Sequence, residues 1–574
     1  MAVSGSAGRP PRVPVGAEAR RWGTFRGGRT LVVAARTVTS TVRVLETLPE
    51  LLRGDARVTV LFAYDPTSAF SSGVLDLLRD AGCRVVPWEQ LGEVAPDLIL
   101  SASENIDVPE DRCPVLVLPH GVGFQKRVPD SRAPRTRLSG MVPDALLEAG
   151  RAWLAVSHPD QEEQLLATHP KVSGRTLLVG DPCFDQLAAA LPDAEAYRRA
   201  LGVADGLRLV VVSSTWGPTS LLGRLPELPG RLLAALPYDE YRVAAVVHPN
   251  VWAWHGGWQV RALQGDALAA GLLLMSPVHA WRAALVAADV VVGDHGSVTL
   301  YGAALGKPVL LAAFGEDAVA GTAADALRRT APALDPGGDL FRQVEEAVAD
   351  HPPERYAAVA ARASAVPGQA LVRLRAAVYE LLGLDEPAVP PPSPGLPVPE
   401  SAPAVVTSWI TESTARRRDG QWTVTVRRRP AAVRPGGEDR DDAEGPFRHL
   451  VCDTAEPDRR LTESASVLFH RRPERTAVAA LGRIRETLER FPGCRLAVAA
   501  VAGGGCLAGL RDGRVVEAVP TGPAADPGLP AAVVYTALRA GIPLDDALVG
   551  LRVGGAREVD VALRTRPAAG QSPG

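Results

Sequence analysis

The sequence predicts an α/β protein in which two Rossmann-like domains face a cleft, followed by a smaller C-terminal α+β domain. Continuous apolar runs rich in β-branched residues alternate with amphipathic stretches, which is typical of a parallel sheet covered by helices on both faces. This alternation occupies residues 29–201 and starts again over residues 202–385. A Pro-rich segment, 386–403, then favours neither helix nor sheet and predicts a linker before a third unit.

Each of the first two domains has its own series of predicted strands. In the first domain, the apolar runs expected to form strands are 30–35, 58–63, 84–87, 98–101, 115–119, 153–157 and 176–180. In the second domain they are 207–214, 242–248, 272–275, 290–293 and 308–313. Ligands of open parallel sheets bind outside the carboxyl ends of the strands, so two such sheets in tandem predict a binding site in the crevice between them.

The third unit, 404–565, carries weaker signals. We expect strands at 422–427, 449–452, 465–469 and 495–502, with helices at 477–490 and 531–540. An acidic insertion at 438–444 predicts a solvated loop, and the arginine run 427–429 predicts a solvated strand end. These patterns indicate α+β character but no particular chemistry, so the role of this domain stays open.

Length and charge narrow the class of protein. The 574 residues agree with three folded units, since domains usually contain about 100 to 200 residues. A net charge of −3 gives no broad electrostatic reason to bind polyanions, so we expect no nucleic-acid partner and at most peripheral membrane contact. The sequence has neither a signal-peptide core nor a long apolar run, which predicts a cytoplasmic protein with a disordered start at 1–28 and a disordered tail at 566–574.

Cofactor motifs are not evident. The six cysteines are spread along the chain without a CxxC pair, so neither a zinc site nor a disulfide framework is indicated. The segment 302–308 (GAALGKP) places Gly and Lys in suggestive order, but Pro308 stands where a P-loop needs Ser or Thr. We therefore expect no metal, no cofactor and no Walker-type nucleotide hydrolysis.

The loop after the fifth predicted strand, 119–126 (PHGVGFQK), is the first of four candidate site segments. A histidine at the carboxyl end of a strand can project into the cleft, and imidazole is suited to abstract a proton from a hydroxyl near neutral pH. His120 is therefore the candidate catalytic base. The alternative is that His120 is simply part of a tight turn, because loops of this kind occur at turns as well as at binding pockets.

The second and third segments also follow predicted strands. Residues 180–185 (GDPCFD) end on Asp185 near the expected crossing between the domains, although Gly-Asp-Pro is an ordinary turn signal. His248 closes an apolar strand and is followed by Pro249. A histidine in that position can contact a phosphate, and a capped strand end explains it equally well.

The fourth segment, 289–299 (DVVVGDHGSVT), has the pattern strand, glycine-rich turn, helix start. Backbone amides at such a helix N-terminus, with the hydroxyls of Ser297 and Thr299 beside them, form an anion site suited to a diphosphate. The alternative is a simple helix cap in which Asp294 or Ser297 satisfies the first amides of the helix.

Taken in order, these segments resemble the CDP-glycerol glycerophosphotransferases, the family of teichoic-acid polymerases and primases with the GT-B fold. The family shows an HGTPLK-like loop, a G-x-PR-x-D turn, a PTWR-like strand end, a histidine that closes a later strand, and a TDYSS turn. The counterparts here are His120-Gly121 with Lys126, 180–185, 214–217 (STWG), His248-Pro249, and 293–297 leading to Lys307-Pro308. The match spans about residues 30–380.

The resemblance implies a role for each matching residue. His120 would be the base that activates the acceptor hydroxyl. The donor phosphates would be held by His248, Asp294, His295, Gly296, Ser297 and Thr299. The acceptor side or the cleft would include Gly121, Lys126, Asp185 and Thr215.

Some positions depart from the family pattern. Cys183 and Gly217 stand where the family tends to carry arginines, so two charge-assisted phosphate contacts are missing from the motifs. In addition, His295-Gly296 replaces Tyr-Ser. The same turn also resembles UDP-N-acetylglucosamine 2-epimerases, which share the fold, but Tyr301-Gly302 replaces their acidic residue and alanine.

These signals predict a GT-B-type transferase that moves a glycerophosphate or glycosyl group from a nucleotide-linked donor to a hydroxyl acceptor. The donor would be a nucleotide-linked small molecule, and the hydroxyl acceptor would be a cell-envelope or natural-product precursor. The alternative, which the missing arginines favour, is a non-catalytic GT-B-like protein that binds a nucleotide or a partner. Its C-terminal domain would then be the working module.

Overall fold

The computed structural model describes residues 12–16, 21–25, 27–109, 112–130, 136–400, 404–433, 445–522, 526–554 and 557–566. The expected disordered start at 1–28 falls only partly within these ranges, and the acidic insertion 438–444 lies outside them. Of the expected disordered tail, only residue 566 is described. No helix in the described ranges combines the length and the apolar character needed to cross a bilayer.

The first lobe contains a seven-stranded parallel sheet. Its elements, in chain order, are β1 (Arg29–Ala35), α1 (Val38–Leu51), β2 (Val58–Tyr64), α2 (Val74–Asp80), β3 (Val85–Pro87), α3 (Leu91–Val94), β4 (Leu98–Ser101), β5 (Val115–Val117), β6 (Arg127–Pro129), β7 (Thr136–Leu138), α4 (Asp144–Glu148), β8 (Ala152–Val156), α5 (Pro159–Thr168), β9 (Thr176–Leu178), α6 (Pro182–Ala189) and α7 (Ala194–Ala200). The sheet order is β3-β2-β1-β4-β5-β8-β9, and each predicted strand of this domain is present.

Strand β1 shows why the apolar runs form a sheet covered on both faces. Its residues alternate between two hydrophobic clusters, with Leu31 and Val33 in one and Val32 and Ala34 in the other. All four side chains are almost completely buried. Burying both faces of a strand in this way requires helices on both sides of the sheet. Strands β6 and β7, which were not predicted, form a separate antiparallel pair beside the sheet.

The second lobe contains a five-stranded parallel sheet in which every predicted strand is present. Its elements are β10 (Arg208–Ser214), α8 (Leu221–Arg224), α9 (Leu228–Ala235), β11 (Tyr241–Val247), α10 (Pro249–Leu263), α11 (Gly265–Ala269), β12 (Leu273–Leu274), α12 (Ala280–Ala287), β13 (Val290–Gly293), α13 (Ser297–Ala304), β14 (Val309–Leu311), α14 (Ala323–Thr330), α15 (Leu340–Ala349) and α16 (Ala357–Ala363). The sheet order is β12-β11-β10-β13-β14. The two lobes therefore have the doubly wound α/β architecture that the sequence predicts.

After the second lobe the chain returns to the first. Helix α17 (Ala370–Leu382) packs against α1, and its residues Leu371, Leu374 and Val378 join the hydrophobic cluster beneath β1. The Pro-rich segment that follows has no helix or strand over its described part, 386–400. Leu396 is buried there, and its carbonyl accepts a hydrogen bond from the Tyr197 hydroxyl at 3.2 Å.

The C-terminal domain is α+β, with a sheet that closes on itself. Its elements are β15 (Ser408–Arg418), β16 (Gln421–Pro430), β17 (Phe447–Asp453), α18 (Arg459–Ser464), β18 (Val467–Glu474), α19 (Ala477–Arg490), β19 (Leu496–Val501), β20 (Cys506–Leu510), β21 (Val515–Pro520), α20 (Gly528–Ala540), β22 (Ala547–Val553) and β23 (Arg557–Arg566). The closed order is β15-β16-β22-β23-β21-β20-β19-β18-β17. Helix α20 is buried among these strands, and α19 packs outside against β19 and β20.

This domain is attached to the second lobe by a buried arginine. Arg428, in β16, donates to both carboxylate oxygens of Asp239 at 2.7 and 2.9 Å and to Asp526 at 3.0 Å. Asp239 lies just before β11, at the amino ends of the second sheet. Because ligands bind at the opposite, carboxyl ends, the C-terminal domain is attached away from the crevice between the lobes. The expected solvated strand end at 427–429 is thus wrong for Arg428, because two carboxylates draw it into the interface.

His449, in β17, is a buried imidazole within the closed sheet. It stacks on Tyr535 of α20 with ring centroids 3.9 Å apart. Neither ring nitrogen has a hydrogen-bond partner among the described residues. Burial lowers the pKa of His449 to about 3. The imidazole ring is therefore neutral in the folded protein at pH values well above 3.

Replacing His449 with Phe is expected to weaken the acid sensitivity of the C-terminal domain. Between pH 6.5 and 3 the unfolded chain binds a proton on this imidazole that the folded chain does not. Stability therefore falls as the pH drops through this window, by about 1.4 kcal/mol per pH unit for one such group. Calorimetric unfolding from pH 8 to pH 5 should show a smaller decline for His449→Phe than for the unmodified chain or for the exposed control His255→Phe. An unchanged decline would contradict this account.

Candidate functional site

The carboxyl ends of the two sheets face each other across a cleft with a volume of about 460 Å³. From the first lobe, the loops after β1, β2, β4 and β5 line the cleft, together with the β6–β7 hairpin. From the second lobe, the loops after β10, β11, β12 and β13 line it, with the first turn of α13. Loops that follow strands therefore converge on one space, as the tandem sheets predict.

Gly121 lets the two lobes touch at the centre of this cleft. A Cβ atom at position 121 would lie 2.4 Å from the Oγ of Ser297 and 2.9 Å from its Cβ. Contacts this short do not occur in proteins, so the observed approach requires glycine. The backbone N–H of Val122 donates to Ser297 Oγ at 3.2 Å. The loop after β5 and the turn before α13, the two segments that the predicted site requires, are thus in direct contact.

A backbone bridge joins the lobes a few residues further along. Lys126 and Ala318 form an isolated antiparallel bridge. The N–H of Arg127 donates to the carbonyl of Asp317 at 2.7 Å, and the N–H of Val319 donates to the carbonyl of Gln125 at 2.9 Å. In addition, Lys126 Nζ lies 3.2 Å from Asp317 Oδ2. Lys126 lines the cleft, but its charge is held by a carboxylate of the opposite lobe.

Buried charged groups also join α1 to the second lobe. Glu46 pairs with Arg282 at 2.8 Å. Arg43 lies 3.9 Å from Asp181 and donates to the hydroxyl oxygen of Tyr301 at 3.4 Å. Burial raises the pKa of Tyr301, which stays protonated and donates to Asp181 at 2.6 Å. The charges at this end of the cleft are therefore neutralised within the chain.

His120 is oriented by the main chain of the first lobe. Its Nδ1 lies 3.1 Å from the carbonyl oxygen of Ala102, which follows β4. A carbonyl only accepts, so this contact assigns the proton to Nδ1 and leaves Nε2 unprotonated in the neutral ring. His120 lines the cleft with a ring nitrogen able to accept a proton.

His248 has the opposite tautomer. It is the N-cap of α10, and its Nδ1 accepts a hydrogen bond from the backbone N–H of Asn250 at 3.1 Å. The proton of the neutral ring is therefore on Nε2. Burial, together with the nearby charges of His120 and Lys126, lowers the pKa of His248 to about 3. His248 thus remains a neutral hydrogen-bond donor across the physiological range, whereas the cleft-lining His120 has Nε2 as a hydrogen-bond acceptor in its neutral form.

The N-cap residue of α13 makes no side-chain hydrogen bond to the helix. This residue is Gly296, which has no side chain to offer. Asp294 accepts instead from the backbone N–H groups of Thr215, Leu221 and Gly296 at 2.8 to 2.9 Å. The hydroxyl of Ser297 accepts from Val122, as described above. The cap explanation therefore holds only for the N–H of Gly296, which Asp294 satisfies, and the following amides of α13 have no side-chain acceptor among the described residues at the cleft.

His295, which lines the cleft, contacts the segment after β14 through both ring nitrogens. Its Nδ1 accepts from the N–H of Gly315 at 3.1 Å, and its Nε2 lies 3.2 Å from Asp317 Oδ2. Both ring nitrogens are thus engaged with the segment that also holds Lys126. The position of His295 favours a role in fixing this interlobe segment over direct contact with a phosphate.

Eight of the expected site residues line the cleft: His120, Gly121, Lys126, Thr215, His248, His295, Gly296 and Ser297.

The three other expected site residues lie outside the lining of the cleft. Asp294 is completely buried under the backbone that it accepts from. Thr299 is also fully buried, packed so tightly under Gly293 that a Cβ there would lie 2.2 Å from its Oγ1. Asp185 accepts from the N–H groups of Gly368 and Ala370, and so caps α17. We assign these three residues to the scaffold.

Sequence reasoning missed several charged residues of the cleft. Arg36 follows β1, Glu104 follows β4, and Arg43 lies within α1. The strand-end rule that selected His120 would also have selected Arg36 and Glu104, but not Arg43. Arg137 lies on the unpredicted β7, where it pairs with Glu104 at 2.7 Å. Arg36 in turn pairs with Asp65 at 3.1 Å. Every described cation that lines the cleft thus has an acidic partner in the chain.

The fold and the cleft define a class, the two-lobed α/β proteins with GT-B architecture, extended here by a closed α+β domain. No family model and no curated protein matches the chain.

Solved structures are similar over 62% of it. The wall teichoic acid polymerase TagF with CDPG has 12% identity and a TM-score of 0.42, with 89% of its chain covered. UDP-GlcNAc 2-epimerase from Neisseria meningitidis bound to UDP-GlcNAc has 13% identity and a TM-score of 0.40, with 99% covered. MnaA from S. aureus in complex with UDP has 12% identity and a TM-score of 0.39, also with 99% covered. Both kinds of protein that the motifs resemble are among these neighbours. Likenesses this remote carry no conclusion about activity.

Replacing Gly121 with Ala should destabilise the contact between the lobes, because the new methyl group would overlap Ser297. Overpacking of this kind costs about 1 to 3 kcal/mol. Adding Ser297→Gly removes both atoms that the methyl group meets, so the double variant should regain most of the loss. The measurement is urea unfolding of the two single variants and the double variant. Additive effects, with no rescue in the double variant, would show that the two residues do not touch.

Proposed function

We propose that the cleft binds a nucleotide-linked donor and transfers its glycerophosphate or glycosyl group to a hydroxyl acceptor. One observation carries the proposal: a proton acceptor, a neutral N–H donor and an uncapped helix N-terminus converge in a single interlobe cleft. These are His120, His248 and the first turn of α13. Such a set can both activate a hydroxyl and hold a phosphate.

In the proposed reaction, the acceptor hydroxyl gives its proton to Nε2 of His120. The acceptor oxygen forms a bond to the phosphorus or anomeric carbon of the donor, and the bond from that atom to the nucleotide breaks. The nucleotide leaves with the electron pair, as a monophosphate after glycerophosphate transfer or as a diphosphate after glycosyl transfer. The imidazolium of His120 then releases its proton to solvent, which regenerates the base.

Negative charge on the leaving phosphate would be met by neutral dipoles. The first amides of α13 and the Nε2–H of His248 supply oriented donors, and oriented donors stabilise developing charge without reorganising during the reaction. Positions 183 and 217 supply no cation: Cys183 is buried in the core, and Gly217 has a φ of +92° in a turn. The main stabilisation in this proposal therefore comes from hydrogen bonds.

The paired state of the cations in the cleft also favours a second candidate function, a non-catalytic protein that binds a nucleotide or a partner. In that case the C-terminal domain, which is attached away from the cleft, would be the working module. The two functions differ in whether turnover accompanies nucleotide binding.

Nucleotides should raise the melting temperature of the full chain. A ligand at 100 times its dissociation constant adds about 2.7 kcal/mol of stability. A thermal-shift screen with CDP, UDP, GDP and their sugar and polyol conjugates tests this, and the conjugate with the largest shift identifies the donor. A screen in which no nucleotide moves the transition would contradict both transferase activity and nucleotide binding.

The variant His120→Ala should lose turnover by about 100-fold or more while it keeps the nucleotide-induced shift, since a general base acts on the acceptor and does not hold the donor. His158→Ala is the matched control, because His158 also follows a parallel strand of the first lobe but lies outside the main cleft. Turnover is measured as nucleotide release with the donor found in the screen. Equal rates for His120→Ala and the unmodified chain would remove the base assignment.

A further inference from the structure

Three aromatic side chains form a group at the mouth of the cleft. Phe70, in the loop after β2, packs between two tryptophans of the second lobe. Its ring centroid lies 5.2 Å from that of Trp216 and 6.3 Å from that of Trp254. Phe70 and Trp216 line the cleft, and Trp254 is 66% exposed beside them. An aromatic surface thus begins inside the cleft and continues to solvent.

The polar groups next to these rings are largely neutral. Thr67 and Ser68, in the same loop as Phe70, line the cleft, as does Asn250, which lies on the same helix as Trp254. The nearest cation, Lys126, lies 5.2 Å over the ring of Trp216 and is paired with Asp317. The mouth therefore offers aromatic faces, hydroxyls and an amide, without an unpaired charge among its described residues.

We propose that this aromatic group is a saccharide-binding platform that positions the acceptor, with Trp254 as its exposed ring. This inference rests on the proposed function, in that it names a neutral saccharide as the acceptor class. One face of a pyranose ring presents C–H bonds that suit the electron-rich face of an indole, while its hydroxyls need neutral hydrogen-bond partners. The groups at the mouth supply both kinds of contact.

The same observations disfavour an anionic occupant. A polyphosphate chain or an anionic bilayer is drawn mainly by free cations. At this mouth Lys126 is paired with Asp317, Arg36 with Asp65 and Arg137 with Glu104. Continuity with the cleft also matters, because Trp254 contacts Phe70, which itself lines the cleft.

The test is binding of neutral tetrasaccharides to the full chain, measured by saturation-transfer NMR and calorimetry. The probes are the tetrasaccharides of α-1,4-glucose, β-1,4-glucose, β-1,4-mannose and β-1,4-N-acetylglucosamine. At least one should bind, and Trp254→Ala should weaken its affinity by about tenfold or more, as expected for loss of an aromatic anchor. Trp254→Phe should keep most of the affinity. Trp258→Ala is the matched control, because Trp258 is 83% exposed on the same segment and has no ring contact with Phe70.

Each other outcome overturns the platform. The proposal is contradicted if none of the four tetrasaccharides binds at millimolar concentration, or if the Trp254→Ala variant binds them as well as the unmodified chain. It is also contradicted if only phosphatidylglycerol vesicles or poly(glycerol phosphate) bind in a Trp254-dependent way. The nucleotide-induced thermal shift, run on the same variants, separates the two proposals. If nucleotides still raise the melting temperature but no saccharide binds, only the saccharide platform is contradicted. If a saccharide binds in a Trp254-dependent way but no nucleotide raises the melting temperature, only the nucleotide-linked donor is contradicted.

Discussion

The contact between Gly121 and Ser297 is the constraint on which the site depends. Two parallel sheets place their strand-end loops on facing edges, and the loop after β5 can approach the turn before α13 this closely because position 121 has no side chain. This contact puts His120, one residue before the glycine, into the same space as the first turn of α13. The contact therefore helps to place His120 and the first turn of α13 on one surface.

The charge pairing in the cleft also depends on the short distance between the two lobes. Lys126 is paired across the lobes, and Glu46 reaches Arg282 in the second lobe. The interlobe charges therefore hold the lobes together, and the ligand recognition that we propose relies on neutral hydrogen bonds and aromatic faces. The two histidines show this division clearly, since main-chain contacts fix one as an acceptor and the other as a donor. Such a cleft depends little on ionic strength for its geometry, because buried pairs are only weakly screened by salt.

Much of the α/β fold could be predicted from the sequence, because buried parallel strands are continuous apolar runs. Strand β1 and strand β10 are of this kind, and both were found close to their true bounds. The C-terminal domain was harder. The four predicted strands overlap β16, β17, β18 and β19, but β15 and β20 to β23 were missed. In β15 the buried Trp409, Thr411 and Ser413 alternate with more exposed residues, a pattern that polar inward residues conceal.

Only those parts of the site that are marked by local sequence patterns could be predicted. His120, His248 and the turn before α13 follow strands, so chain position alone identifies them. The role of Asp294 depends on Thr215 and Leu221, more than 70 residues earlier in the chain. Asp185 is a similar case, because the helix that it caps begins near Ala370. Carboxylates that satisfy distant backbone groups look, in sequence, the same as carboxylates that bind a ligand.

The return of α17 to the first lobe has a consequence for how the protein is made. The hydrophobic cluster under β1 includes Leu371, Leu374 and Leu382, so it is incomplete until these residues have left the ribosome. Domains usually fold in order during synthesis, each as it emerges. Here the cluster under β1 cannot be completed until the second lobe has been translated. A nascent chain that stalls before residue 370 would therefore leave part of this apolar cluster exposed to chaperones.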